Sequence, residues 1–392
     1  MSARVVVVRG HQATPWELRP WRELPERFAA SVLATGSNAE DVGTTGLPTT
    51  LVRSLRDGLP PGRVGDAVAT LAGDRYLGAR AALDDADVVH AEELSYWFAG
   101  EVARLRPGAR WRLVQSVWET IPFLEAYRTP MARRQRRAVL AHTDMFLPAT
   151  GRARDALLLE GVEPERISLL EPGIDVDRFA GAPPAQPPRE HLIVSAARLV
   201  WEKGHQDLLR ALALLHRGIV AAPAVPRVVI VGRGPEGPRL SAYARELGVG
   251  HLVEIRPQVP YDEMPALYAQ ASCLVLASLP SAQGGLTPFG APRVFWEEQF
   301  GLVLAEAMAA GLDLVTTTSG AIPEVVGDGA ALVAPGDWPA LARALADGPL
   351  RRPPGERVSH DQARVQRYSL AAMAQRLADA YDAVLAAPSR RA

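Results

Sequence analysis

Short apolar runs alternate with longer amphipathic stretches from one end of the chain to the other. In the first half, Val5–Val8, Ser31–Ala34, Val88–Ala91, Arg112–Ser116, Met145–Pro148 and Ile167–Leu170 read as strands. Helical periodicity lies between several of them, at Leu94–Leu105, Ala132–His142 and Arg152–Glu160. In the second half the strand runs are Leu192–Ala196, Val228–Gly232, Leu252–Ile255, Cys273–Ala277, Asp313–Thr317 and Ala331–Ala334. The helical stretches there are Gln206–His216, Pro238–Leu247, Glu263–Gln270, Leu302–Ala310 and Trp338–Ala346. Buried strands alternating with helices specify a parallel sheet covered on both faces. The pattern occurs twice, so the expected fold class is α/β, with two doubly wound domains facing each other across a cleft.

Between the two patterns, Ala180–Arg189 holds four prolines in ten residues. Proline fixes φ and removes a backbone donor, so this segment reads as a stiff linker. The expected boundaries are a first domain over 1–180, a linker over 181–190, a second domain over 191–365 and a C-terminal segment over 366–392. Its helix, Leu370–Ala387, follows the loop Pro349–Gly355 and is expected to pack back on the first domain.

Composition sets further limits. At 392 residues the chain exceeds one ordinary core and suits two domains. A net charge of −1 gives no global basic field to recruit nucleic acid or an anionic membrane. The lone cysteine, Cys273, lies in an apolar run and reads as a core residue, which excludes a disulfide within the chain. The apolar run after Met1 is too short for a signal peptide, and no run approaches the roughly 18 residues that span a bilayer. The expected location is cytoplasmic.

The cations carry the sharpest signal. Arginine occurs 42 times and lysine once, at Lys203. A compact ammonium differs from a rigid guanidinium fork, so the single lysine is a candidate for a place a guanidinium does not fit, with survival by chance the alternative. Arg198 and Lys203 follow the strand Leu192–Ala196, at the carboxyl end where open α/β sheets bind ligands. About a hundred residues on, Glu298-Gln-Phe300-Gly301-Leu302-Val303-Leu-Ala-Glu306 opens an apolar helix that ends at Gly311. The free N–H groups and dipole at that helix start suit a diphosphate, and flanking carboxylates suit hydroxyl-rich sugar and ribose.

Arg198-x4-Lys203-Gly204, Gly232-Arg-Gly234-Pro235, Glu298-x7-Glu306 leading into Ala307-Met308-Ala-Ala-Gly311, and Ile322-Pro323-Glu324-Val325-Val326 occur in that order. Together they resemble glycosyltransferase family 4, retaining enzymes of the GT-B architecture built from two Rossmann-like domains. The likeness is good over roughly residues 143–386 and includes Pro172-Gly173-Ile174-Asp175. It implies that Arg198 and Lys203 hold the donor diphosphate, Glu298 the transferred hexose and Glu306 the ribose. Phe300, Gly301, Leu302 and Val303 then form the phosphate cradle. It also implies a reaction without metal, cofactor or protein nucleophile. The base and sugar are not legible in the chain, and UDP is carried as the expected nucleotide.

The first domain departs from that family. One glycine, Gly10, stands where many relatives have a glycine-rich loop, and Trp118 stands where many have a histidine. Trp118 and Glu119 are candidates to line a sugar pocket, with core packing the alternative for Trp118. His90 ends a strand as a histidine does in many relatives, and a structural role is its alternative. Three motifs are set aside. Asp85-Ala86-Asp87 matches a metal-binding pattern of another architecture, and Gly232-Arg-Gly234 lacks the rest of a dinucleotide fingerprint. The arginines at 128, 133, 134, 136 and 137 read as a solvated face, with contact to a membrane surface as the alternative.

The expected activity is transfer of a hexosyl group from a nucleotide-diphosphate sugar to an acceptor hydroxyl on a small molecule, glycan or glycolipid. The rivals are an epimerase or phosphorylase of the same architecture, and a sugar-binding protein without activity. The acceptor and oligomeric state are not legible. One prediction follows from the composition alone. Lys203→Arg, although it conserves charge, should lower kcat/KM about ten- to a hundredfold, since a charge-assisted hydrogen bond contributes about 1.5–3 kcal/mol. Wild-type kinetics for that variant would make the lone lysine an accident.

Overall fold

Val5, Val7 and Val8 are fully buried in the first strand, and the reason is a sheet covered on both faces. In the computed structural model the described residues are 2–388, apart from 39, 61, 63, 66–67, 70–72, 125–128, 181–187 and 284–293. The chain divides into two units. In the first unit, residues up to 173 and from 370 onward, the strands are β1 (Ala3–Gly10), β2 (Phe28–Ala34), β3 (Thr49–Leu51), β4 (Val88–Glu92), β5 (Arg112–Val117) and β6 (Met145–Pro148). All pairings are parallel, in the order β3-β2-β1-β4-β5-β6. Val7 sits between Val32 and His90. Alternate residues feed two cores. Val6, Val8, Val89 and Leu113 pack with Phe98, Val102 and Val139 from helices Trp97–Leu105 and Pro130–His142. Val5, Val7, Val88 and Val114 pack with Leu377, Tyr381 and Val384 of helix Leu370–Ala386.

The second unit holds residues 174–282 and 295–369. Its strands are β7 (Leu192–Ala196), β8 (Arg227–Val231), β9 (Val253–Arg256), β10 (Cys273–Leu276), β13 (Asp313–Thr317) and β14 (Ala331–Val333); β11 (Ser281–Gln283) and β12 (Val294–Trp296), whose residues Gln283 and Val294 are not in this unit, form a separate pair. The large sheet runs β14-β13-β10-β7-β8-β9. Read from β9, this is the same order as in the first unit. The order reverses between β1 and β4 in one sheet and between β7 and β10 in the other. Crevices at the carboxyl ends of strands around such a reversal are where these sheets bind ligands. Ile193, Val228, Ile230, Cys273 and Val275 pack with the inner faces of helices His205–His216, Gly237–Glu246 and Trp338–Asp347. Cys273 is wholly buried, and burial pushes its thiol well up.

The structure revises three expectations. Ile167–Leu170 is not a strand, because only Ile167 bridges to Phe146. Thr49–Leu51 is a strand that the pattern does not reveal; it is a three-residue edge with exposed side chains and so lacks an apolar run. Residues 174–180, expected in the first domain, belong to the second unit, where Phe179 packs against the rings of Tyr261 and Tyr268. Most of the proline-rich segment Ala180–Arg189 lies outside the described residues. Among the described residues no helix is long and apolar enough to cross a membrane.

Candidate functional site

The chain leaves β7 through a turn that two buried side chains hold. His205 is 1% exposed; one ring nitrogen lies 3.1 Å from the Ser195 hydroxyl and the other 3.2 Å from the Arg198 carbonyl. A carbonyl only accepts, so Nε2 carries the proton and Nδ1 accepts from Ser195. Burial, with a smaller push from the Lys203 charge, lowers the His205 pKa to about 4, so the ring is neutral at pH 7. The Arg198 side chain is exposed and has no hydrogen bond or ion pair among the described residues. Gly204 then turns the chain into helix His205–His216 at φ 69°, and a Cβ there would lie 1.8 Å from the Ala277 carbonyl oxygen. Only glycine fits so close an approach in the left-handed region.

Lys203 reaches across to the segment after β12. Its Nζ is 2.7 Å from Glu298 Oε2 and 4.5 Å from the centre of the Trp296 indole. The Ser278 hydroxyl, just beyond β10, donates to the same Oε2 at 2.6 Å. The Ser319 hydroxyl accepts from the Glu298 N–H at 3.3 Å. Glu298 Oε1 accepts from none of the described residues. Lys203, Ser278 and Glu298 therefore meet where the strand order reverses.

Gly301, in the left-handed region at φ 81°, begins helix Leu302–Ala309. The first turn of that helix leaves N–H groups of Gly301, Leu302 and Val303 without intrahelical acceptors, as any helix start does. Phe300 is different from its expected role, because its ring is 2% exposed and lies edge-on to Tyr368 at 5.2 Å. Its side chain packs in the interior of the second unit rather than lining an open site. Glu306 sits in the second turn, 6% exposed, and accepts from the Tyr268 hydroxyl at 3.3 Å. Burial pushes its carboxyl up to about 7, against hydrogen bonds from Tyr268 and Tyr261 that pull it down.

In the first unit most candidates are already engaged. His90 is fully buried, with Tyr381 Oη 2.6 Å from Nδ1 and Ser116 Oγ 2.7 Å from Nε2. Trp21 Nε1 donates to the same Tyr381 oxygen at 2.8 Å, so that oxygen ties the indole to the imidazole. Burial lowers the His90 pKa well below the usual value. His90 is a core residue, and its expected ligand contact is withdrawn because both nitrogens are spent. Gly10 donates its N–H to the Tyr76 hydroxyl at 3.1 Å and packs on Phe98. Glu119 accepts the N–H groups of Thr120 and Ile121 at 2.9 Å each, so this oxygen holds its own turn. Trp118 is half-buried, and its N–H donates to Glu93, a non-glycine residue at φ 64°. Such a conformation costs on the order of 1–3 kcal/mol and recurs at ligand sites.

The motifs set aside have local uses. Asp85 and Asp87 both bind Arg4, at the amino end of the sheet. Arg136 pairs with Glu160 and covers the Phe123 ring, while Arg133, Arg134 and Arg137 are exposed and residue 128 lies outside the described residues. Among the described residues no cluster of three or more His, Cys, Asp or Glu is placed to hold a metal. Sequence reading missed Ser195, His205, Tyr268, Ser278 and Trp296. None belongs to a spaced motif, though His205 beside Lys203-Gly204 was the nearest signal.

Anabaena Alr3699/HepE, solved in complex with UDP, superposes with a TM-score of 0.69 at 16% identity, over 97% of this chain and 99% of that one. The architecture is accordingly GT-B. The family model described as "Glycosyltransferase Family 4" matches residues 14–178, and "Glycosyl transferases group 1" matches residues 180–348. The chain belongs to glycosyltransferase family 4 and is a glycosyltransferase. The D-inositol 3-phosphate glycosyltransferase 1 of Catenulispora acidiphila is 29% identical over 329 residues, 77% of this chain and 73% of that one. The GDP-mannose-dependent alpha-(1-6)-phosphatidylinositol monomannoside mannosyltransferase of Mycolicibacterium smegmatis is 34% identical over 168 residues, 41% of this chain and 40% of that one. The alignments cover about two thirds of the length of the first inositol-phosphate relatives.

Glu306 gives a pH dependence whose sign can be fixed. Its folded pKa, about 7, lies above the ordinary 4.5, so folding favours the protonated form. That contribution is whole below pH 4.5 and is lost as pH rises through 7, by roughly 3 kcal/mol if the group stayed fully enclosed. Glu17 in the first unit is also raised to about 7, so the variant must be compared with wild type. The stability of Glu306→Gln relative to wild type, from urea unfolding at pH 5 to 8, should rise with pH. A difference that stays flat would mean Glu306 is solvated.

Proposed function

We propose that the chain transfers a hexosyl group from a nucleotide-diphosphate sugar to an acceptor hydroxyl, with retention at the anomeric carbon and without a metal. The observation that carries this reading is the second unit's switch point. There Lys203 is paired with one oxygen of Glu298, the other oxygen is open, and a helix start lies three residues on. An ammonium, an exposed guanidinium at Arg198 and unpaired N–H groups are what a departing diphosphate needs as its charge develops. Glu298 Oε1 is left to accept a sugar hydroxyl, and Glu306 is the candidate for the ribose. In this reading the leaving phosphate oxygen takes the acceptor's proton on the face it departs from.

The names of the relatives support a sugar-nucleotide donor. One is GDP-mannose-dependent, and a solved neighbour carries UDP. Several are named for an inositol phosphate acceptor, which supports a polyol or glycolipid hydroxyl as the acceptor class here. The first unit is the candidate acceptor side, with Trp118 and the strained Glu93 at its carboxyl edge. The exposed arginines of helix Pro130–His142 are the candidate contact with an anionic lipid surface.

The test is a reaction with UDP- and GDP-hexoses and inositol, inositol phosphate and phosphatidylinositol acceptors, with product configuration read by NMR. The expected outcome is one retained glycoside, formed at nearly the same rate in EDTA. Inversion, or activity lost to EDTA and restored by manganese, would contradict it. Conversion of donor without acceptor would favour an epimerase.

A further inference from the structure

The geometry points to Trp296 as the residue that fixes how Lys203 spends its N–H donors, and so to a donor-binding role for a side chain outside the diphosphate motifs. The inference rests on the reading of this switch point as a sugar-nucleotide site. Lys203 is 12% exposed along its side chain, so its ammonium is largely out of water. Of its three N–H donors one goes to Glu298 Oε2 at 2.7 Å, and the indole face of Trp296, 4.5 Å away, takes a second direction. One direction is left for a phosphate oxygen.

The carboxylate is divided in the same way. Oε2 holds Lys203 and Ser278, and Oε1 accepts from none of the described residues. A point-like ammonium leaves that division intact. A guanidinium at the same place would form a fork across both carboxylate oxygens and lie flat on the indole. Oε1 would then be closed to the sugar, and the cation would be turned from the phosphate. Trp296 and Ser278 are positioning residues in this scheme: the indole holds the cation, and the hydroxyl holds the oxygen to which the cation is bound. They explain why position 203 keeps lysine in a chain with 42 arginines.

Because the chain has one lysine, protein grown with labelled lysine gives one side-chain signal in NMR. The Lys203 ε-methylene protons should resonate upfield of an exposed lysine, displaced by the indole ring current, and should move when UDP or GDP is added. Trp296→Leu should return the signal to the exposed-lysine position and weaken binding of that nucleotide about three- to thirtyfold by calorimetry. Trp296→Phe, which keeps a ring, should recover part of both. A wild-type signal at the exposed-lysine position overturns the inference even if the leucine variant does not fold. So does nucleotide binding that leaves the lysine signal unmoved, while the sugar-nucleotide reading survives. If neither nucleotide binds by calorimetry, the sugar-nucleotide reading itself fails, and this inference with it.

Discussion

The ion pair between Lys203 and Glu298 is the contact around which the second unit's site is arranged. The two side chains are 12% and 6% exposed. A pair this enclosed gives up much of its hydration, and Coulomb attraction at best offsets that cost. An apolar pair of similar volume would hold the fold as well. In the proposed reading the charges supply chemistry instead, a cation for a departing diphosphate and a carboxylate oxygen beside it for the sugar. The surrounding structure serves that end. Gly204 brings the lysine turn against Ala277, the His205 ring clamps Ser195 to the Arg198 carbonyl, and Ser278 anchors the glutamate.

The two sheets share one strand order and differ in how their carboxyl edges use polar groups. At the second, Arg198 and Glu298 Oε1 remain available, and the helix after Gly301 begins there. At the first, the polar groups mostly satisfy one another. Trp21, Tyr381, His90 and Ser116 form a hydrogen-bonded chain, and Arg9, 3% exposed, pairs with Glu92 and lies over the Trp21 ring. Such a network tolerates no missing member, since each buried group left alone costs about 1–3 kcal/mol. Topology therefore offers a ligand crevice twice, and side-chain chemistry opens it plainly once.

Most of this architecture was legible in the chain because strands buried on both faces must be apolar without interruption. Val5–Val8, Leu192–Ala196 and Cys273–Ala277 could be read that way to within a residue or two. Thr49–Leu51 could not, since an exposed edge strand carries no such run. The motifs that bring Lys203 and Glu298 together were legible through spacing, because a loop and a helix start fix residues at constant separations. His90 was read only as far as two alternatives. Its partner Tyr381 lies 291 positions away, and no local pattern announces a hydrogen bond over that distance. Trp296 escaped for a similar reason, as its meaning depends on Lys203, ninety-odd residues earlier.

The central claim is that Lys203 and Glu298 act on the donor as one unit. A double-mutant cycle on nucleotide binding tests it most directly, using Lys203→Met, Glu298→Gln and the double variant, with UDP or GDP titrated by calorimetry. UDP and GDP lack the transferred hexose, so the sugar-hydroxyl role of Glu298 is absent from this measurement and its pairing with Lys203 is what the cycle reads. The account predicts a coupling of at least about 1 kcal/mol, with Glu298→Gln altering affinity in the presence of Lys203 and not in its absence. Effects that add to within about 0.5 kcal/mol would show two independent residues and contradict it.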